Sequence, residues 1–512
     1  MHIVIVGGGT AGWTAASYLV NKRPQHRYTV IESSKIPTIG VGEAATGLLT
    51  GLVDQLGIDR WEFMHKTDAL PKLAIKFQNW RGHDEDYLHP IDSSYSAVNE
   101  IDYTVYHSIA TGTSLSSSSR LATLVEMGLT NISYDYDYQS LYQVGSLSWV
   151  IDPAKTAAVF RKFCLDRGVD LLDCEVESAM TENGMISKLL TTQGDVHGDL
   201  FIDCTGSARI LSESLGAEWR SYDQYLPVNR AIPFRFAKEP DQRNPWITSK
   251  ALNNGWMWEA PTRHRVGRGY IFSDNFITAD QALEEIRSLY GAEIEPVKDI
   301  KFNTGVLKNH FVGNVLTLGM GAGFLEPMQA TSIHSTLLQL NDFVLLCLNH
   351  DLKATCDPVV ARVYNQKCQR QYRDMMEFVA IHYATDRSDS DFWKFVANDL
   401  KRPDKVIEMI ELAKTRLIRL DDFENYLGAP GAPLWIYSMA GLGLFDPKIC
   451  EQQLKEFGYV MELVGEEKHG KLLDLINIRQ NLISQTDLNR WFIDNPLIGT
   501  WNDSLRMGFN AG

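Results

Sequence analysis

Apolar positions fall into two regimes along the chain, strand-length runs in the first part and helical spacing in the last. His2–Val6 predicts a short strand, and an apolar helical run follows from Trp13 to about Val20. A second strand is predicted at Tyr28–Ile31, ending on Glu32. From Arg81 to about Gly145 the periodicity fades into Ser, Tyr and Asp, with a loop-like run at Ser114–Ser119. An irregular excursion that caps or lines a site is expected there. Regular patterning resumes at Trp149–Asp152, followed by a helix over Pro153–Arg167, Gly168 as its stop, and a strand at Asp170–Cys174. Two later strands each run into a glycine turn: Leu200–Asp203 into Thr205-Gly206, and Asn314–Leu318 into Gly319, Gly321 and Gly323. Beyond about Ser335 the spacing is helical through Trp491.

The opening carries chemistry as well as structure. Between the first strand and helix stands Gly7-Gly8-Gly9-Thr10-Ala11-Gly12, and Glu32 follows twenty residues after Gly12. Small glycines let the backbone approach a pyrophosphate, the helix N-terminus favours its charge, and the carboxylate takes a ribose hydroxyl. A bound dinucleotide is therefore expected. The two later strand–glycine units favour FAD over NAD, because a two-domain FAD site is closed by discontinuous segments. Ordinary tight turns are the alternative for each unit taken separately.

Composition narrows the class. The chain has 512 residues, 44% hydrophobic and 22% charged, which suits a globular enzyme of about three domain-sized units. Forty-nine basic against sixty-four acidic residues leave a formal charge of −15, an unfavourable balance for nucleic acid or an anionic membrane. The best candidate for a membrane span, near Leu337–Leu348, is interrupted by Asn341 and Asp342. Seven scattered cysteines without a Cys-x-x-Cys pair suggest neither disulfides nor a zinc site. With a strand already starting at Ile3, no signal peptide is read, and a cytoplasmic location is expected.

Five segments then make the pattern specific: Gly7–Trp13 (GGGTAGW), Ile39–Ala44 (IGVGEA), Lys72–Trp80 (KLAIKFQNW), Gly255–Pro261 (GWMWEAP) and Gly323–Thr331 (GFLEPMQAT). In order and spacing they resemble the flavin-dependent tryptophan-halogenase family, and Ala440–Leu444 (AGLGL) resembles its C-terminal region. The resemblance implies a Rossmann-like, FAD-binding α/β fold of the aromatic-hydroxylase type, with a capping layer and a helical C-terminal portion. The expected division is a core over 1–345 and a helical portion over 346–512. Within the core, 1–50, 145–212 and 299–345 would mainly bind FAD, and 51–144 and 213–298 would mainly cap and hold substrate. The cofactor residues expected are Gly7, Gly9, Thr10, Ala11, Gly12, Glu32, Gly40, Val41, Gly42, Glu43, Ala44, Gly319 and Phe324.

The resemblance also assigns roles. Alternation puts Trp256 and Trp258 on one strand face, where propensity alone reads core packing; the family implies a wall between flavin and substrate. Period two puts Lys72 and Lys76 on one face of a predicted strand, and Lys72 aligns with the catalytic lysine. Lys76 is read as structural or flavin-proximal. Thr331 and Ser332 align with the residues whose backbone amides hold halide. His89 and Ile91 align with substrate-pocket residues, Ile91 in place of a phenylalanine. Gln329-Ala330 stands where the family has a glutamate and a serine, and a glutamine cannot accept a proton as a carboxylate does. The implied reaction uses reduced FAD, oxygen and halide, passes through a flavin hydroperoxide and hypohalous acid, and ends on an electron-rich aromatic. A separate NAD(P)H-dependent flavin reductase would supply FADH2, and a homo-oligomer is compatible. The alternatives are an FAD-dependent aromatic monooxygenase and a degenerate flavin-binding protein.

Overall fold

The computed structural model describes residues 1–36, 42–91, 103–135, 140–143, 148–236, 243–291, 294–348, 357–423, 430–456 and 482–494. A six-stranded sheet forms its first layer, in the order Asp170–Asp173, Arg27–Glu32, His2–Val6, Leu200–Asp203, Val315–Thr317, Phe311–Val312. The first five strands are parallel and the last is antiparallel. Alternation along His2–Val6 decides what each face meets. Ile3 and Ile5 join the cluster under the helices Thr10–Lys22, Pro153–Leu165 and Thr331–Leu346. Val4 and Val6 face the opposite way, against Ile186 and Leu189 of a small antiparallel sheet. The strand is apolar throughout because both faces are covered.

A second, eight-stranded sheet runs Ile294–Pro296, Arg230–Phe236, Val266–Phe272, Gly255–Pro261, Trp246–Leu252, Ala74–Gln78, Asp86–Pro90, with Ile300–Lys301 off its edge. Its two faces also separate by parity. Trp256 and Trp258 join the largest cluster, whereas Met257 turns to the cluster containing Tyr270, Phe272 and Ile286. The helices Pro358–Ala380, Asp391–Asn398, Asp404–Ala413 and Ala432–Gly441 contribute to that largest cluster, so the helical portion covers the tryptophan-bearing face. A three-stranded sheet joins the two halves: Trp149–Ile151 pairs with Glu43–Ala44 on one side and with Leu70–Pro71 on the other.

Two expectations are corrected here. The stretch 81–145 is more regular than its composition suggests, with a strand Asp86–Pro90 and helices Tyr103–Thr111 and Arg120–Glu126. The serine run forms a 3-10 turn over Leu115–Ser118, N-capped by Ser114. Ser118 Oγ bonds the Tyr437 hydroxyl at 2.8 Å, and Leu121 and Leu124 pack on Leu73 and Ala74. Polar side chains thus satisfy one another inside the fold, which composition reads as a loop. Lys72, moreover, does not share a strand with Lys76. It lies between the pairing of Leu70–Pro71 with Trp149–Ile151 and the strand Ala74–Gln78, and its amide bonds Ser148 O at 2.8 Å.

Candidate active site

The glycine turn opens on a cavity of about 670 Å3. Gly7, Gly9, Thr10, Ala11, Glu32, Glu43 and Gly319 line it, as does Ser332 from the start of helix Thr331–Leu346. Its glycines serve different ends. A Cβ on Gly12 would sit 1.8 Å from Gly7 O, and one on Gly7, at φ +114°, 2.3 Å from Cys204 O. Those two positions are closed by packing. A Cβ on Gly9 meets nothing within 4 Å and points into open space, where a pyrophosphate would back onto the chain. Glu32 ends its strand, held by Trp13 Nε1 at 3.0 Å and Arg161 Nε at 3.0 Å. Burial, with help from Asp152, raises the Glu43 carboxyl to about 7. Gly42, at φ +85°, packs close to Ala260 O, which brings that loop onto the tryptophan strand. The cavity and its cradle fit a dinucleotide. Gly40 and Val41 lie outside the described residues. Ala44 packs against the largest cluster, and Phe324 lies edge-on to Phe302, away from the cavity wall.

Lys72 is 4% exposed, and its ammonium donates to Ala45 O at 2.9 Å. Desolvation lowers its pKa from 10.5 to about 8. Lys76, by contrast, is half-exposed and pairs with Asp86 at 3.2 Å, an ion pair on the outer side of the strand. Next to Ala45, Thr46 Oγ1 and His334 Nδ1 are 3.0 Å apart, which ties the lysine's neighbourhood to the first turn of helix Thr331–Leu346. Ala330 precedes that helix in the left-handed conformation, φ 58°, and no side chain caps it. The first-turn amides of Thr331 and Ser332 therefore belong to the set that lacks intrahelical partners.

An aromatic cluster gathers about His89, which is close enough to Lys72 to feel its charge. His89 is buried with Nε2 donating to Leu434 O at 3.0 Å, and its ring lies 6.3 Å from Phe77, 6.0 Å from Phe378 and 6.5 Å from His382. Burial takes the His89 pKa down to about 4, and the nearby Lys72 charge pushes in the same direction. Gln329 reaches the cluster from the other side, its amide nitrogen 2.9 Å from His382 Nε2. Ile91 is not part of this group; it packs with Leu73, Leu121 and Leu124 instead.

Trp256 is anchored by a residue that spacing alone does not single out. Trp256 Nε1 donates to Glu326 Oε2 at 2.9 Å, and the Tyr383 hydroxyl donates to the same oxygen. Glu326 is fully buried, Oε1 has no partner among the described residues, and desolvation raises its pKa to about 7. Trp258 lies over Gly269, where a Cβ would meet the indole at 1.8 Å. His382 and Tyr383 have no local motif; a long helix delivers them, and no signal in their neighbourhood announces a site. A larger groove of about 1110 Å3, between Arg220–Tyr225 and the helix Pro358–Ala380, contains none of the motif residues.

The fold and site agree with what known proteins share with this chain. The tryptophan halogenase family model matches residues 2–453. Tryptophan 6-halogenase ThaL of Streptomyces albogriseolus is 28% identical over 452 residues, covering 81% of this chain and 82% of that protein. Tryptophan 7-halogenase RebH of Lentzea aerocolonigenes is 28% identical, covering 83% and 85%. Among solved structures, BrvH, a flavin-dependent halogenase from Brevundimonas sp. BAL3, superposes with a TM-score of 0.77 at 26% identity over 93% of this chain and 99% of that one. From residue 2 to residue 453 the chain thus has the make-up of a flavin-dependent enzyme that uses reduced FAD and halide, and it belongs to the tryptophan halogenase family.

Proposed function

We propose that this enzyme halogenates an electron-rich aromatic of the indole or phenol type, with Lys72 carrying the activated halogen to the ring. The observation that carries the reading is a buried lysine, with a lowered pKa, set beside an aromatic cluster and one bonded neighbour away from the helix that offers Thr331 and Ser332. Gly7, Gly9, Thr10, Ala11, Gly12, Glu32, Glu43 and Gly319 would hold reduced FAD, which with oxygen would supply the oxidising equivalents that turn halide into hypohalous acid. Thr331 and Ser332 hold the halide at unpaired backbone amides, favoured by the helix terminus. Trp256 and Trp258, fixed by Glu326 and Gly269, keep the substrate ring apart from the flavin. Lys72 captures the hypohalous acid by hydrogen bonding or as a haloamine, so that the halogen meets the ring at one place. His89 lines the ring pocket.

Gln329 shapes the substrate range. An amide does not take up the ring proton, so deprotonation leans on water, which weakly activated rings tolerate poorly. Compact, electron-rich indoles, phenols and anilines should turn over faster than free tryptophan, and bromide or iodide should be used better than chloride. A mass-spectrometric screen with the three halides read separately tests this: halogen isotope patterns on such substrates support the reading, one added oxygen identifies a monooxygenase, and efficient single-position chlorination of free tryptophan sinks the preference.

The second expectation concerns electrons. The single complete dinucleotide fingerprint is assigned to FAD, so the isolated chain should oxidise NADH only at background rate and should need a separate flavin reductase. Rapid NADH consumption by the purified protein would contradict this.

A further inference from the structure

The helical portion grips the loop carrying Gln329 through two adjacent hydrogen bonds. Glu326 and Gln329 lie three residues apart on the loop, and His382 and Tyr383 are neighbours in the 3-10 turn Ile381–Tyr383. Tyr383 bonds Glu326, and His382 meets Gln329. The first contact sets the register in which the second is made.

Elementary donor counting then orients the amide. His382 Nδ1 lies 3.0 Å from Phe378 O and 3.3 Å from Val379 O. A carbonyl only accepts, so Nδ1 carries the hydrogen and Nε2 of the neutral ring keeps a bare lone pair. The ring is neutral because it is fully buried among Phe77, stacked at 4.8 Å, Phe378 and Trp80. Desolvation takes its pKa to about 3. Among the described residues two groups face Nε2: the Gln329 side chain at 2.9 Å, and the Ser438 hydroxyl, a donor, at 3.3 Å. His89, whose ring centroid lies 6.5 Å from that of His382, has spent its Nε2 hydrogen on Leu434 O. Gln329 must therefore meet the lone pair with its NH2, and among the described residues no donor reaches Gln329 Oε1.

We propose that His382 is a positioning residue that locks Gln329 with its N–H group turned inward and its carbonyl oxygen presented to the reaction site. Resting on the halogenase reading, this gives Gln329 a defined part. It offers a fixed hydrogen-bond acceptor, correctly oriented, at a place where a carboxylate would accept a proton. A leucine at 382 would leave the amide free to rotate and to present a donor instead. Gln329→Glu would set lone pair against lone pair, and the pair is relieved only when one side takes up a proton, on Nε2 or on the carboxyl oxygen.

The test is 15N spectroscopy of histidine-labelled, FAD-loaded protein, with the His382 signals assigned from their loss in His382→Leu. The wild-type ring should show Nδ1 protonated and Nε2 bare across neutral pH, and Gln329→Glu should shift the Nε2 signal, as that nitrogen either gains a proton or accepts one from the carboxylic acid. Halogenation supplies the second readout: His382→Leu should lower kcat on the order of 10- to 100-fold at unchanged FAD affinity, as expected for a misplaced active-site group. His382→Gln, which restores an acceptor, should recover part of the loss. A wild-type ring protonated at Nε2, or a His382 signal indifferent to Gln329→Glu, overturns the proposal. Equal loss of kcat in His382→Leu and His382→Gln also overturns it. The spectroscopic result stands whether or not the chain halogenates the substrates tried, so failure of the functional reading is told apart from failure of this one.

Discussion

Lys72→Ala should retain FAD binding and flavin reoxidation while aryl halogenation falls at least on the order of 100-fold, the usual cost of removing a directed contact to the reacting group. Hypohalous acid is reactive and diffusible, so selective transfer needs a capturing group beside the ring, and the proposed function gives that part to Lys72, a buried amine. Lys76→Ala, which removes only a half-exposed pair with Asp86, should change the rate little. Wild-type rate and selectivity in Lys72→Ala would shift the role to Lys76 or to freely released acid. Two further signs follow from the lowered pKa. At pH 7.5 a lysine titrating at about 8 is roughly one-quarter neutral, so if the amine itself is halogenated the rate should climb with pH through about 8 and then level off. The stability sign is opposite to that of a salt bridge. Folding lowers this group from 10.5 to about 8, so its cost is absent above the unfolded value and complete once pH falls below about 8. Lys72→Met should accordingly raise stability at pH 7 by up to roughly 3 kcal/mol, in a chemical-denaturation titration, while abolishing halogenation. A less stable Lys72→Met at pH 7 would mean that the bond to Ala45 O outweighs the buried charge.

Gly9→Val should fold normally and lose FAD affinity by at least about 100-fold, or ~2.7 kcal/mol. Gly9 has ordinary dihedrals, φ −76° and ψ −174°, in the extended region that a β-branched residue adopts without strain. Its Cβ meets no atom of the described residues within 4 Å, so the added side chain enters open space, where the expected pyrophosphate would lie. Gly12→Ala is the contrasting variant. Its Cβ would strike Gly7 O, and it should damage folding itself rather than binding alone. Flavin fluorescence titration with circular dichroism on both proteins separates the two effects. Unchanged FAD affinity in a folded Gly9→Val would displace the pyrophosphate from this turn.

Much of the architecture was legible in local pattern, because strands and helices impose short repeats on the residues that must be buried. The parallel strands His2–Val6, Arg27–Glu32 and Leu200–Asp203 stand where apolar runs put them, give or take a residue. Alternation alone placed Trp256 and Trp258 on one face and Met257 on the other. The fingerprint glycines and Glu32 were readable for the same reason: their spacing is set by one strand, one turn and one helix. What depended on distant segments was not readable. The serine run became a buried 3-10 turn because Tyr437, more than three hundred residues on, offers Ser118 a hydroxyl. Lys72 left its predicted strand because Ser148 claims its amide, and only burial by the surrounding fold turns an ordinary cation into an amine whose pKa falls to about 8. Glu326 and Gln329 show the same division. Their sequence displays a carboxylate and an amide; burial raises the pKa of the first to about 7, and the partners Trp256, Tyr383 and His382, brought in by another sheet and a long helix, fix the hydrogen bonds of both. Sequence by itself determined which residues could take part, through repeats that each element imposes on its own neighbours. Tertiary structure decided their protonation and orientation, because desolvation and hydrogen-bond direction are properties of the surroundings and not of the residue.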